Sequence, residues 1–305
     1  MKLIDGAEIN LDMYMQWPEE CHKVMPASTW VDDVIRIFYP PEGETHPHLG
    51  FGKMHEDFEL RPGECTLWAG INGHGKSLFL GQAALNLARQ GEKICLASLE
   101  MPVGQTMSRM ARQAFGGNIP GVDYLAKFHK WTDNKIWLYN HVGRVSPKTI
   151  LALIRYAAAE LGVTHFVVDN LTKVVDGDDT YNQQKDFVND LCTVAQDTQV
   201  HVHLVSHIRK GRTENDQPGK FDVKGTGAIT DMVDNVLIVW RNKAKEEAAR
   251  SGDGVDPNEF DCIVKLEKQR HGGTEGKYGF WVNQASLQYL EKRNAIPQHF
   301  DCKGA

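Results

Sequence analysis

The sequence predicts an α/β fold, a mostly parallel twisted sheet flanked by helices, with antiparallel strands at one edge. From Gly63 onward, short apolar runs alternate with longer stretches of helical period, and alternation of this kind argues for βαβ units and a sheet covered on both faces. Beyond Trp240 three further apolar runs, 260–266, 278–282 and 287–290, suit an antiparallel extension. At 305 residues the chain is long for a minimal domain, yet one sheet with covering helices can use that length.

Residues 1–60 are rich in Pro, Glu, His and Trp and include Pro40-Pro41-Glu42-Gly43, which cannot continue a helix or a central strand. They read as a leader or linker with at most a short helix around 30–38. The pattern then predicts strand 65–69 and helix 77–89, strand 93–99 and helix 103–115, strand 136–139 and helix 147–161. Strand 165–169, helix 182–198, strand 200–206, helix 228–233 and strand 236–240 continue the series. Residues 243–258, charged and glycine-containing, read as a loop. The expected organisation is a leader at 1–60, one sheet-bearing domain at 61–292 and a tail at 293–305. Active residues are expected at the carboxyl ends of the strands.

A hydrophobic fraction of 41% supports a packed interior. No segment approaches the roughly 20 apolar residues of a membrane span, and acids near the N-terminus replace the positive charge of a secretory signal. Neither membrane insertion nor export is expected. Six cysteines, Cys21, Cys65, Cys95, Cys192, Cys262 and Cys302, occur without any CxxC pair and are expected as reduced thiols. With a net charge of -6, any contact with nucleic acid must use a local basic surface.

The strongest motif is Gly70-Ile71-Asn72-Gly73-His74-Gly75-Lys76-Ser77, which matches GxxxxGK[ST] after an apolar strand and opens a helix that continues with Leu78. Its glycines let successive backbone N–H groups turn inward around phosphates, and the helix N-terminus adds positive potential. Lys76 would neutralise the terminal phosphates and Ser77 would hold Mg²⁺. The ligand is therefore expected to be ATP, or another nucleoside triphosphate, with Mg²⁺. His74 is expected to do no more than tolerate its place between the glycines. Such a site also needs an acid on another buried strand, supplied by Asp169 at the end of His165-Phe166-Val167-Val168-Asp169. Water attack on the γ-phosphate needs a carboxylate to orient the water, and Glu100 follows strand 93–99.

The segment Leu96-Ala97-Ser98-Leu99-Glu100-Met101 resembles an element of the DnaB-like replicative helicases, which are RecA-like P-loop ATPases. The likeness continues through Val205-Ser206-His207-Ile208-Arg209-Lys210, Val223-Lys224-Gly225-Thr226-Gly227 and Lys268-Gln269-Arg270-His271-Gly272-Gly273. His207 and the Arg241-Asn242 pair look closer to the helicase half of phage and mitochondrial primase-helicases. The resemblance implies a homohexameric ring that binds ATP between subunits, translocates on single-stranded DNA and unwinds replication forks. It implies Lys76 and Ser77 as phosphate and Mg²⁺ ligands, Asp169 as the second acid, Glu100 as catalytic base and His207 as γ-phosphate sensor. Lys268 and Arg270 are implied as groups donated to a neighbour's nucleotide, with Arg270 as arginine finger, and Arg241 as a group packing against adenine. A Lys-x-Arg spacing puts both cations on one face of a strand, which suits donation.

For DNA, Arg209, Lys210, Arg212, Lys220, Lys224 and Gly225 fall in a polar stretch, 208–227, diluted by Glu214, Asp216 and Asp222 and poor in aromatics. That composition suits backbone tracking better than base reading. The family's N-terminal region is replaced here by about sixty residues without a zinc-ligand cluster, so primase activity is not expected. Trp17, Trp30, Ile35 and Phe38 in the leader could contact a neighbouring subunit or this chain's own core. Primase or polymerase partners and a cytoplasmic setting in a prokaryotic or phage-infected cell also follow from the resemblance. Two rival readings remain, a RecA-like recombinase without unwinding and a regulatory P-loop ATPase acting on a protein partner.

Overall fold

Ten strands, β1 (Leu3–Ile4), β2 (Cys65–Gly70), β3 (Ile94–Ser98), β4 (Ile136–Tyr139), β5 (His165–Asp169), β6 (His201–His207), β7 (Asn235–Arg241), β8 (Cys262–Gln269), β9 (Gly276–Asn283) and β10 (Gln288–Leu290), form one sheet among the described residues. The computed structural model describes residues 3–4, 25–39, 41, 46–175, 181–208, 216–223 and 227–302. Strand order is β1-β4-β3-β5-β6-β2-β7-β8-β9-β10. Pairing is parallel from β1 through β7 and antiparallel from β7 to β10. The expected architecture is therefore present, with the antiparallel strands at the predicted edge. The helices are α1 (Val31–Phe38), α2 (Gly52–His55), α3 (Lys76–Arg89), α4 (Val103–Phe115), α5 (Val122–Thr132), α6 (Pro147–Leu161), α7 (Leu171–Val174), α8 (Tyr181–Thr198), α9 (Gly227–Met232) and α10 (Lys243–Ser251).

Side chains alternate along a strand between the two faces of the sheet. Leu67, Ala97, Phe166 and Leu204 face one layer with α6 and α8, while Trp68, Leu96, Val167 and Val205 face the other with α3 and α4. Both faces are buried, so the inner strands are apolar almost without a break. Local signals end the helices where expected. Ser146 caps α6 by accepting from the Thr149 amide at 3.1 Å, with Pro147 in the first turn and Gly162 beyond the last.

Four features depart from the sequence reading. Residues 243–251, expected in a loop, are helical, because Asn242 caps the N-terminus, Lys243 pairs with Glu246 one turn on, and Gly252 closes the end. Helix α5 lies where no element was expected; a short stretch with two aromatics buried, Phe128 and Trp131, carried too weak a period. Residues 46–60 are not detached from the domain: Leu49, Phe51, Met54, Phe58 and Leu60 are buried in the layer that holds α3. Each such side chain contributes about 1.5–3 kcal/mol of burial, so this part of the leader is core. Residues from the tail also pack, with Phe300 buried and Gln298 hydrogen-bonded to Gln288. The helix expected around 30–38 is α1, and its residues are all exposed. Packing against this chain's own core, one of the two readings for Trp30, Ile35 and Phe38, is therefore not what the described residues do. Trp17 lies outside them.

Strand register creates the site. Gly70 is level with His207, and Ser98 is level with Asp169. The carboxyl ends of β2, β3, β5 and β6 thus form one line, and the loops leaving them share one cleft.

Candidate active site

The loop between β2 and α3 turns through Gly73 at φ 79° and Gly75 at φ 87°, a region that glycine enters without steric cost. At Gly75 a Cβ would also overlap the Tyr289 hydroxyl, which donates to the Gly75 carbonyl at 3.1 Å. Lys76 is buried at 5% exposure, and its ammonium donates to the carbonyls of Gly70 at 2.9 Å and Ile71 at 3.0 Å. Burial pushes its pKa down to about 8, opposed by the negative charges of Asp169 and Glu100. It therefore stays mostly protonated at neutral pH.

His207 ends β6 with Nδ1 3.3 Å from the Lys76 ammonium and Nε2 2.9 Å from the Asn170 amide. Glu100 Oε1 stands 4.0 Å from His207 Nε2 and 4.0 Å from the Lys173 ammonium. Burial raises the Asp169 carboxyl above its ordinary range; a hydrogen bond from Ser77 and the cations Lys76 and Arg109 oppose that rise, and Glu100 adds to it. The cleft these groups share measures about 640 Å³ and is also lined by Asn72, Gly73, Leu78, Arg109, Arg241 and Leu287. That volume lies within the usual range of small-molecule sites.

Ser77 and Asp169 offer two adjacent hard oxygen donors. Among the described residues no three His, Cys, Asp or Glu side chains converge as a metal cage. This donor set fits Mg²⁺, which keeps several waters and takes its other ligands from phosphate oxygens.

Of the residues singled out in the sequence, Asn72, Gly73, Gly75, Lys76, Ser77, Leu78, Glu100, Asp169, His207 and Arg241 meet at this cleft. Gly70 contributes its carbonyl to Lys76 rather than a surface. The His74 side chain is turned away: it is buried, and Nδ1 accepts from the Arg241 amide at 3.1 Å, so only its backbone is available to a phosphate. Arg241 lines the cleft with its guanidinium ion-paired to Glu246. Lys268 and Arg270 are elsewhere. Lys268 is level with Val236, and the Arg270 amide bonds to the Asp234 carbonyl, at the start of β7. The other end of β7, Arg241, reaches the cleft, about 20 Å away at roughly 3.3 Å per residue. The proposed DNA contacts Arg209, Lys210, Arg212, Lys224 and Gly225 lie outside the described residues, while Lys220, within them, donates to the Glu267 carbonyl at 3.2 Å and pairs with Glu275 at 3.3 Å.

Sequence reasoning missed Arg109, Asn170 and Leu287. Gln105, Ser108, Arg109 and Arg112 all line the cleft, and their spacing on α4 is that of one helix face. This polar stripe was the available signal. Arg112 also clamps the turn before β10, donating to the carbonyls of Gln284 at 3.0 Å and Ala285 at 2.7 Å. Asn170 could have been suspected from adjacency to Asp169, whereas nothing local marks Leu287.

Comparison with known proteins gives the family and the fold. The family model for the DnaB-like helicase C terminal domain matches residues 50–287. The Twinkle homolog protein, chloroplastic/mitochondrial, of Arabidopsis thaliana is 22% identical over 235 residues, covering 69% of this chain and 33% of that protein. The chain thus spans about a third of the length of that curated relative. Among solved structures, the ATPase domain of G40P superposes with a TM-score of 0.74 at 18% identity, covering 88% of this chain and 99% of that one. A DnaB-like replicative helicase, solved in a study of its interactions with primase, gives 0.72 at 18% identity, covering 89% and 69%. At such identity the two structures speak for the fold. No helix among the described residues is long and apolar enough to cross a membrane.

Proposed function

The chain belongs to the DnaB-like helicase C-terminal domain family, and from that premise we propose that it is the ATP-hydrolysing motor of a replicative DNA helicase. In this reading a homohexameric ring translocates on single-stranded DNA and unwinds duplex at replication forks. The carrying observation is the division of cations: Lys76 is set in the cleft with Glu100, Asp169 and His207, whereas Lys268 and Arg270 stand at the opposite end of β7. In this reading Lys268 and Arg270, out of reach of the cleft in their own chain, serve the cleft of a second chain.

The residues present have distinct tasks. The backbone amides of residues 72–77 and the α3 N-terminus grip the triphosphate, and Lys76 exchanges its loop carbonyls for phosphate oxygens. Ser77 and Asp169 would hold Mg²⁺, which supplies charge neutralisation at the β- and γ-phosphates. Glu100 orients the attacking water and takes its proton at a carboxylate oxygen. His207, joined to Lys76 and Asn170, registers whether the terminal phosphate is present. Arg270 of the adjoining subunit stabilises charge that develops during transfer.

Self-association has its own support in α1. Val34, Ile35, Ile37, Phe38 and Tyr39 are exposed, with Ile37 at 76% and Phe38 at 73%. An apolar surface of this kind marks an interaction site, and we assign it to a second copy of the chain. Single-stranded DNA is assigned to the basic positions in 208–227, and a primase or polymerase is the partner class expected at a fork. Unwinding of a forked duplex with ssDNA-stimulated ATP turnover tests the reading. Turnover indifferent to single-stranded DNA, with no strand separation, would refute it.

A further inference from the structure

The far end of β7 holds a dense cluster of hydrogen bonds that the cleft does not use. The Lys268 ammonium donates to the carbonyls of Thr230 at 2.9 Å, Asp231 at 2.8 Å and Val233 at 2.7 Å. These are carbonyls at the carboxyl end of α9, where the helix leaves its acceptors unpaired and its dipole is negative. Arg270 uses one edge of its guanidinium there as well: Nη2 donates to Asp231 at 3.3 Å and Met232 at 3.1 Å, and Nη1 pairs with the Asp234 carboxylate at 3.0 Å. The Arg270 side chain nonetheless remains 44% exposed.

Asp234 itself is immobilised. It is buried at 5% exposure, its Oδ2 accepts from the Cys65 amide at 2.8 Å, its own amide donates to the Cys65 carbonyl at 3.0 Å, and its carbonyl accepts from the Arg270 amide at 2.9 Å. One carboxylate oxygen is thus committed to the first residue of β2 and the other to Arg270. A long flexible side chain held in this way is pre-oriented, and little rotamer freedom remains to be lost when it meets an anion.

We propose that Asp234 and the carboxyl end of α9 form the seat that positions Lys268 and Arg270 for the nucleotide of the neighbouring subunit, which rests on the donation of those cations in trans. Asp234 touches no substrate; it acts through Arg270. Strand β2, which fixes Asp234 at its first residue, ends at Gly70 in this chain's own phosphate loop, so the cation offered outward and the loop facing inward are anchored to the same strand.

The test uses the full chain as Asp234→Asn, an isostere whose amide oxygen still accepts from Cys65. The measured quantity is single-turnover ATP hydrolysis in assembled rings, alone and mixed with Lys76→Ala subunits, whose own sites are dead but whose Arg270 is intact. Asp234→Asn alone is expected to bind ATP normally and hydrolyse it about tenfold more slowly, with the rate recovering on mixing. Arg270→Ala, the reference for the trans reading, is expected to lose at least a hundredfold and to recover on mixing in the same way. Wild-type rates for Asp234→Asn would overturn the proposal. So would a loss that mixing leaves unrepaired while Arg270→Ala is repaired, since Asp234 would then serve only its own site or its own fold. Failure of Arg270→Ala to recover would remove the trans reading itself.

Discussion

Strand β6 begins with His201 and ends with His207, and the two ends of that strand treat histidine in opposite ways. At the amino end His165, His201 and His203 are all buried. The Trp68 indole donates to His203 Nδ1 at 3.2 Å, His203 Nε2 lies 3.2 Å from His165 Nδ1, and His165 Nε2 lies 3.5 Å from Glu92. His201 joins the Arg61 carbonyl at 2.7 Å and the Thr66 hydroxyl at 2.8 Å. Burial drives His201 down to about 3 and His203 well below its ordinary value. His201 and His203 are neutral rings completing a core. At the carboxyl end His207 stands among Lys76, Glu100 and Asn170 on an open cleft. A histidine in a strand is thus structural or functional according to the end it occupies, because only the carboxyl ends open onto loops that can admit a ligand.

The sharpest way to break this contrast is at the open end. Glu100→Gln keeps the shape of the side chain and removes its basicity, so ATP binding should persist while turnover falls at least a hundredfold. A filter-binding assay beside steady-state ATPase reads both, and unchanged turnover would remove Glu100 as the base.

The closed end is probed by acid. In the folded chain His201 and His203 resist protonation, whereas unfolded histidine titrates near 6.5. The unfolded state therefore binds more protons as pH falls, and stability present above about 6.5 is lost progressively toward about 3. Each ring should contribute up to about 1.4 kcal/mol per pH unit below 6.5. Denaturant titrations at pH 7 and 5.5 measure this. A flat profile would mean the rings are not held neutral.

The smallest expected effect sharpens the comparison within the cleft. Arg109→Ala removes a cation that lies near Asp169 without removing any direct ligand assigned above, and should raise KM for ATP about threefold to tenfold. Arg109→Lys should recover much of that loss. Equal KM values for the wild type and both variants would show Arg109 to be a bystander.

Much of this was legible in the residues. GxxxxGK[ST] carries its own geometry, since a strand, a glycine turn and a helix N-terminus are contiguous, and Asp169 and Glu100 were found as acids following apolar strands. The helix α10 was hidden because charge and glycine looked like a loop, although Asn242, Glu246 and Gly252 are capping and pairing signals. Residues 49–60 were hidden for a different reason. Their buried aromatics have no period of their own and find partners far along the chain, such as Phe51 stacked on Phe79 with ring centroids 4.6 Å apart.

The sequence by itself determined the alternation of strands and helices, the phosphate loop and the identity of the chemical groups, because these depend on neighbours a few residues apart. The tertiary structure alone decided that Gly70 lies level with His207 and Ser98 with Asp169, that His74 turns inward, and that Lys268 and Arg270 rest on α9. Those outcomes depend on strand order and register, which are set by burying both faces of the sheet at once, and no local pattern specifies which distant strand becomes the neighbour.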